Sequence, residues 1–180
     1  MLIRRDESLL LVVDVQAKLA PAIFEREAAV ANNVRLLTAA GLLGVPSFAS
    51  EQYVRGLGSS LPEIRDAGSA AHFFEKMHFS CTGEPGVVDM LRATGRRQIV
   101  LTGMEAHVCV LQTAFGLIDA GFAVFLVADA ASSRSPENRS AAIERMRAGG
   151  ARIVTSEMVL FEWLEKAGTD EFRTVLPLIK

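Results

Sequence analysis

Residues 99–113 read Ile99-Val-Leu-Thr-Gly103-Met-Glu-Ala-His-Val-Cys109-Val-Leu-Gln-Thr113, and the rest of the chain is read outward from them. Ile99–Leu101 is an apolar run of strand length, and Thr102-Gly103 breaks it. Beyond the break, Leu111, Ala114, Phe115 and Ile118 recur at i, i+3, i+4 and i+7, a helical period. A strand hands over to a helix here, and a cysteine sits at the handover. Helix starts expose backbone N–H groups and carry about half a positive charge, which makes a thiol there easier to deprotonate. The position suits a nucleophile if other strands bring partners to it.

The same alternation extends in both directions. Ser8–Asp14 is a continuous apolar run ended by a carboxylate, the pattern of a strand covered on both faces. Val30, Val34 and Leu37 keep helical spacing, with Gly41 and Gly44 as stops. Pro46–Ser50 reads as a second strand, Glu51–Gly68 as loop, and Ala71–Lys76 as a weaker strand. After a short helix over Gly86–Ala93 comes Gln98–Leu101, then the Cys109 helix to about Ala120. Phe122–Ala128 is an apolar strand ending at Asp129. Ser135-Pro136 opens a helix that runs to Arg147 and stops at Gly149-Gly150. Arg152–Val154 is a last strand, Ser156 a cap for the helix of Met158, Phe161 and Leu164, and the tail a helix ended near Pro177. Strands alternating with helices predict a single-domain, three-layer α/β/α, Rossmann-like fold, with a mainly parallel sheet of about six strands spanning residues 1–180.

Composition agrees. Of the 180 residues, 50% are hydrophobic and 22% charged, a globular balance. The net charge of −2 gives no electrostatic reason to expect nucleic acid or an anionic membrane as partner. No apolar run is long enough for a membrane helix, and the N-terminus lacks the apolar region of a signal peptide. A cytoplasmic protein with Cys81 and Cys109 as reduced thiols is the expectation.

In open parallel sheets, sites lie beyond the carboxyl ends of the strands. Asp14, Lys76, Cys109 and Asp129 fall at such ends. Asp14 closes a run that should be buried, so its charge needs a cation or hydrogen bonds. Near Cys109 it would accept the thiol proton, with Lys76 holding the developing charge. Each residue alone also has a plainer reading. Asp14 suits a helix cap, Lys76 a solvated loop, and Cys109 a small buried hydrophobe.

Taken together, Leu11-Val-Val-Asp14-Val-Gln16, Phe74-Glu75-Lys76, Gly103-Met-Glu-Ala-His-Val-Cys109-Val and Asp129-Ala-Ala-Ser-Ser-Arg134 resemble the isochorismatase-like cysteine hydrolases. The resemblance runs in the family's order from about Leu9 to Leu164, and is greatest to small isochorismatase-domain proteins of undefined substrate. It implies a catalytic triad of Asp14, Lys76 and Cys109, attack of the thiolate on an amide-type carbonyl, and a thioester that water hydrolyses. It also implies a non-proline cis peptide at Met104–Glu105, an oxyanion hole from the backbone N–H groups of Glu105 and Cys109, and a homo-oligomer.

Family members acting on nicotinamide hold a metal with an aspartate and two histidines. The matching stretch here, Ser50-Glu51-Gln52-Tyr53, lacks the required histidine, and His72 and His78 flank a strand end at an unconvincing spacing. No metal and no cofactor are expected. The namesake reaction on an enol ether uses no cysteine at this place, so Cys109 favours amide or carbamoyl hydrolysis of a small molecule. Gln16, Glu51, Tyr53, Phe79, Ser80, Glu105 and His107 are candidate pocket residues, although Gln16 equally suits a helix cap and Phe79 the core. Gly56-Leu57-Gly58 lacks the third glycine of a dinucleotide fingerprint. Cys81 has no charged neighbour in sequence and reads as a bystander thiol. Two alternatives remain: an oligomeric interaction protein that keeps the family fold, with Met158–Leu164 and Val175–Ile179 as apolar surface, and a peroxide-sensing thiol.

Overall fold

The structure is a computed structural model that describes residues 1–179. Its centre is a six-stranded, all-parallel sheet: β1 (Ser8–Val13), β2 (Ser47–Gln52), β3 (His72–Lys76), β4 (Gln98–Met104), β5 (Ala123–Ser132) and β6 (Arg152–Val154). The order is β3-β2-β1-β4-β5-β6, so the chain reverses its direction of growth between β1 and β4. Such a reversal opens a crevice at the carboxyl ends of the two strands.

Every residue of β1 is buried because its side chains alternate between two cores. Leu10 and Val12 face the layer containing α1 (Arg26–Leu43), α3 (Pro62–Ala67), α7 (Ser156–Leu164) and α8 (Asp170–Ile179). Leu9, Leu11 and Val13 face α4 (Val87–Ala93), α5 (Leu111–Asp119) and α6 (Pro136–Ala148). Trp163 fills the first core, and its indole N–H donates to Ser8 Oγ at 2.9 Å, so a large apolar side chain is buried without an orphaned donor. Among the described residues, no helix is long and apolar enough to cross a membrane.

Several local expectations need correction. The stretch 51–68 is not all loop: α2 (Val54–Leu57) and α3 lie within it. Gly41 lies inside α1, and Gly44 in the left-handed conformation ends that helix. Strand β5 does not stop at Ala128; it passes through Asp129 to Ser132, with a register shift against β4 between Leu101 and Gly103. The bulged backbone is satisfied from outside the sheet, Asn32 donating to Asp129 O at 2.7 Å and Asn33 to Ala130 O at 2.8 Å. Thr155, not Ser156, caps α7, its side chain accepting from Met158 N–H. Pro177 sits inside α8, in its last turn, rather than ending it. Ser135 does cap α6, with Pro136 in the first turn.

Candidate active site

Beyond the carboxyl end of β1, Asp14 turns into the left-handed region at φ 51° and is fully buried. Aspartate tolerates this conformation better than most residues, but it is uncommon outside glycine and is retained where neighbours over-determine it. Those neighbours are explicit. The Asp14 N–H donates to Ser50 O at 3.1 Å, and the Ser50 hydroxyl returns a bond to Asp14 Oδ1 at 2.7 Å. Lys76 Nζ lies 2.7 Å from Asp14 Oδ2. It also donates to Gln52 Oε1 at 2.6 Å and to the carbonyls of Phe79 and His78 at 3.1 and 3.3 Å. Edge strand β3 would leave this lysine to solvent. The loop after it folds back instead, and the ammonium is enclosed with four acceptors.

The cysteine arrives from the other side of the crevice. Gly103, at φ 112°, lies so close to β1 that an added Cβ would sit 2.0 Å from Val13 O; only glycine fits. The Met104–Glu105 peptide is cis. The chain then enters a turn over Ala106–Val110 that is wound wider than an α-helix, with Val110 N–H donating to Glu105 O at 3.2 Å. Wide turns of this kind recur at functional sites. Cys109 is on it, 6% exposed, its thiol sharing the cavity with the Asp14 carboxylate and close enough for each to influence the other's ionisation. Three strand ends therefore bring Asp14, Lys76 and Cys109 together.

Cys81 is nearer than its sequence surroundings suggested. Its N–H is bonded to Thr113 Oγ1 at 2.9 Å, one helical turn beyond Cys109, and its thiol is fully buried beside Ser50. The short turn carrying it packs against α5 so closely that a Cβ on Gly116 would fall 2.0 Å from Thr82 Oγ1.

A cavity of about 370 Å³ opens over Cys109 and Asp14. Leu19, Ala22, Leu57, Phe79 and Val108 give it apolar walls, Gln52 and Glu105 contribute polar atoms, and Lys18 and Arg134 carry positive charge. Of the pocket residues expected from sequence, Phe79 and Glu105 line this cavity; the others are placed elsewhere. Gln16 is not a helix cap but a brace, its amide bonded to Gln52 O at 2.9 Å, to Gly58 O, and from Gln52 N–H at 2.7 Å. Glu51 accepts from Ser60 N–H at 2.7 Å and from Arg65 at 2.6 Å. Tyr53 borders a separate depression with Glu75 and Met77. Ser80 accepts from Thr82 N–H, and His107 bonds Ser133 Oγ at 3.0 Å.

Asp129 is not at the cavity either; it accepts from Ser156 N–H at 2.8 Å and from the Ser156 hydroxyl at 2.7 Å. Sequence reading did not single out Lys18, Leu19, Ala22, Leu57 or Val108. Position after β1 was the available signal for the first three. Nothing local marks Leu57.

Charge at the floor is set by burial. Loss of water pushes the Asp14 carboxyl above its ordinary value, against the pull of Lys76, Ser50 and Cys109. Burial also disfavours the Lys76 charge, but the Asp14 carboxylate, with Cys81 and Cys109 adding to it when ionised, outweighs that, and the ammonium holds its proton more tightly than a free lysine. For Cys109, burial is the main cause, Asp14 adds to it and Lys76 opposes; the thiol is pushed up to about 12. The expectation of an easily ionised thiol is corrected. The helix start and the nearby cation do not compensate for burial against a carboxylate.

Among the described residues, no three His, Cys, Asp or Glu side chains converge as a metal-binding group. His72 packs edge-on against Phe48, and His78 pairs with Glu84 at 2.7 Å.

An all-parallel sheet between two helical layers, with reactive groups gathered beyond its carboxyl ends, is a three-layer α/β architecture of the isochorismatase-like kind. Residues 8–158 match the isochorismatase domain. The chain is 38% identical over 173 residues to isochorismatase domain-containing protein 2 of Danio rerio, spanning 96% of this chain and 86% of that protein. It belongs to the isochorismatase domain family, and that membership supports a hydrolase function.

Two solved structures are close in shape. The MAR1 ribonuclease of Caenorhabditis elegans has a TM-score of 0.94 and 34% identity, over 99% of this chain and 92% of that one. YcaC from Pseudomonas aeruginosa, solved with hexane-2,5-diol and covalent acrylamide, has a TM-score of 0.90 and 25% identity, over 98% and 90%.

Proposed function

We propose that the protein is a cysteine hydrolase that cleaves an amide or carbamoyl C–N bond of a small molecule, with Asp14, Lys76 and Cys109 as its triad. The observation that carries this reading is the buried Asp14 carboxylate, held by Lys76 and Ser50 on one side and facing the Cys109 thiol on the other. Because the thiol is neutral at rest, its proton moves to Asp14 as sulfur attacks the carbonyl. Asp14 then delivers that proton to the departing nitrogen, leaving a thioester on Cys109 and free ammonia or amine. Water, deprotonated by the same carboxylate, hydrolyses the thioester and restores the thiol. Lys76 stays protonated and keeps Asp14 oriented. The backbone N–H groups of Glu105 and Cys109 stabilise the carbonyl oxygen as it becomes negative. Phe79 and the apolar wall hold the body of the substrate.

A cavity of about 370 Å³ is at the small end of the range for ligand sites, which supports a small substrate. Assembly as a homo-oligomer is supported by exposed Tyr53, Met77, Phe79, Met158 and Phe161, whereas Val159, Leu160, Trp163 and Val175 are core. Light scattering after size exclusion reads the assembly state, and a monomer at micromolar concentration contradicts this part.

The reading is tested by screening primary amides, ureido compounds and carbamoyl compounds for ammonia release by wild type, Cys109→Ala and a no-enzyme control. Release by wild type alone is expected. Turnover that survives Cys109→Ala overturns the mechanism.

A further inference from the structure

The charged groups around the cavity do not balance. Asp14 is offset by Lys76 at 2.7 Å, and Glu105 by Arg134, whose Nε lies 3.0 Å from Glu105 Oε2. The Arg134 N–H also donates to that oxygen at 3.0 Å, which fixes the residue at the cavity edge. Among the described residues its two terminal nitrogens have no partner, since Nε makes the bond to Glu105. Lys18 lines the same cavity, and its ammonium has neither hydrogen bond nor ion pair among the described residues. Its backbone is fixed, the N–H donating to Leu57 O at 3.0 Å. The cavity therefore carries one excess positive charge in a chain whose net charge is −2. The remaining wall is apolar apart from the neutral Gln52, so that charge has no internal counterpart.

We propose that Lys18 and Arg134 form an anion subsite at the mouth of the Cys109 cavity, so that the substrate is a small amide carrying one carboxylate. Arg134 offers two N–H groups to a carboxylate while Nε holds Glu105, and Lys18 supplies the uncompensated charge. One excess charge matches a carboxylate better than a phosphate monoester, which carries about 1.5 to 2 negative charges at neutral pH. Leu19, Ala22, Leu57 and Val108 then cover a short apolar body between the carboxylate and the amide.

This deepens the cysteine-hydrolase reading and rests on it. The test compares alkylation of Cys109 by iodoacetate and iodoacetamide, which differ in charge and little in size. Labelling is located by peptide mass spectrometry so that Cys81 is counted separately. The iodoacetate-to-iodoacetamide rate ratio, divided by the ratio for free glutathione, is expected to be about tenfold or more at low salt. It should fall several-fold in 0.5 M sodium chloride, where the screening length is only about 4 Å. Lys18→Met should bring the ratio close to the glutathione value, and Lys18→Arg should retain most of it; far-ultraviolet circular dichroism checks that both variants are folded. Labelling of Cys109 with no preference for the anion, or a preference unchanged in Lys18→Met, overturns the anion subsite alone. No labelling of Cys109 by either reagent overturns the nucleophile reading and the subsite with it.

Discussion

Strands β1 and β5 both carry an apolar run followed by an aspartate, and the two aspartates have different work. Asp14 leaves β1 through a left-handed turn, is fully buried, and meets Lys76, Ser50 and Cys109 from three other strand ends. Asp129 lies within β5 at a bulge and joins the sheet to the first residue of α7 through Ser156. The sequence surroundings of the two are alike. What separates them is the place of each strand in the sheet: β1 borders the reversal in strand order, and β5 lies one strand beyond it. A carboxylate at the crevice meets groups from both halves of the sheet, whereas one farther out meets only its own side.

If the two ends differ in this way, Asp14→Asn has the largest effect of any conservative change at either. Removing the proton acceptor lowers turnover on the order of 100 to 10,000-fold. It also leaves the Lys76 charge buried without its counter-ion, a loss of about 3–5 kcal/mol in stability read by urea unfolding. Lys76→Met removes the group that holds the Asp14 carboxyl down, so its proton affinity rises further. The sign follows: Asp14 is protonated at higher pH, and the acid limb of the kcat/KM profile moves upward. An unmoved limb assigns it to another group.

Asp129→Ala breaks two hydrogen bonds at the start of α7 and is expected to cost about 1–3 kcal/mol. Turnover per folded molecule should stay within about twofold of wild type. A hundredfold loss of turnover would return Asp129 to the site.

The smallest effect concerns the loop that encloses Lys76. Glu84 accepts from His78 N–H at 2.8 Å, bonds the His78 ring at 2.7 Å and accepts from Met77 N–H at 2.7 Å, and these bonds draw its carboxyl down to about 2 from its ordinary 4.5. Its contribution is present above about 4.5 and is lost as pH falls toward about 2. Glu84 is partly exposed and its partner His78 is exposed, so screening keeps the effect local. Amide hydrogen exchange at Met77 and His78 should quicken in Glu84→Gln at neutral pH. In wild type the corresponding loss of protection appears only in acid.

Much of the fold is legible in the residues because the strands are continuous apolar runs and the helices open and close with recognisable signals such as Ser135-Pro136 and Gly149-Gly150. The three reactive residues are legible as strand-end residues. Errors arise where tertiary contacts overrule local pattern. Bulged β5 continues because Asn32, Asn33 and Arg139 satisfy its backbone from elsewhere. Gln16 and Glu51 turn away from the cavity because their amide and carboxylate are needed by backbone donors. Lys18 and Leu57 reach the cavity through a loop pairing, Lys18 N–H to Leu57 O, that no spacing announces. The state of the Cys109 thiol is the instructive case. A helix start and a lysine point to easy ionisation, and only the burial of the site and the closeness of Asp14 reverse that sign.

That reversal can be measured directly. The rate of Cys109 alkylation by iodoacetamide, followed from pH 5 to 10 in wild type and Asp14→Asn, reports how the thiol loses its proton. With Asp14 as proton acceptor, wild type reacts at neutral pH, and Asp14→Asn loses at least tenfold at pH 7. An ordinary titration near 8.5 that is the same in both proteins would contradict the account.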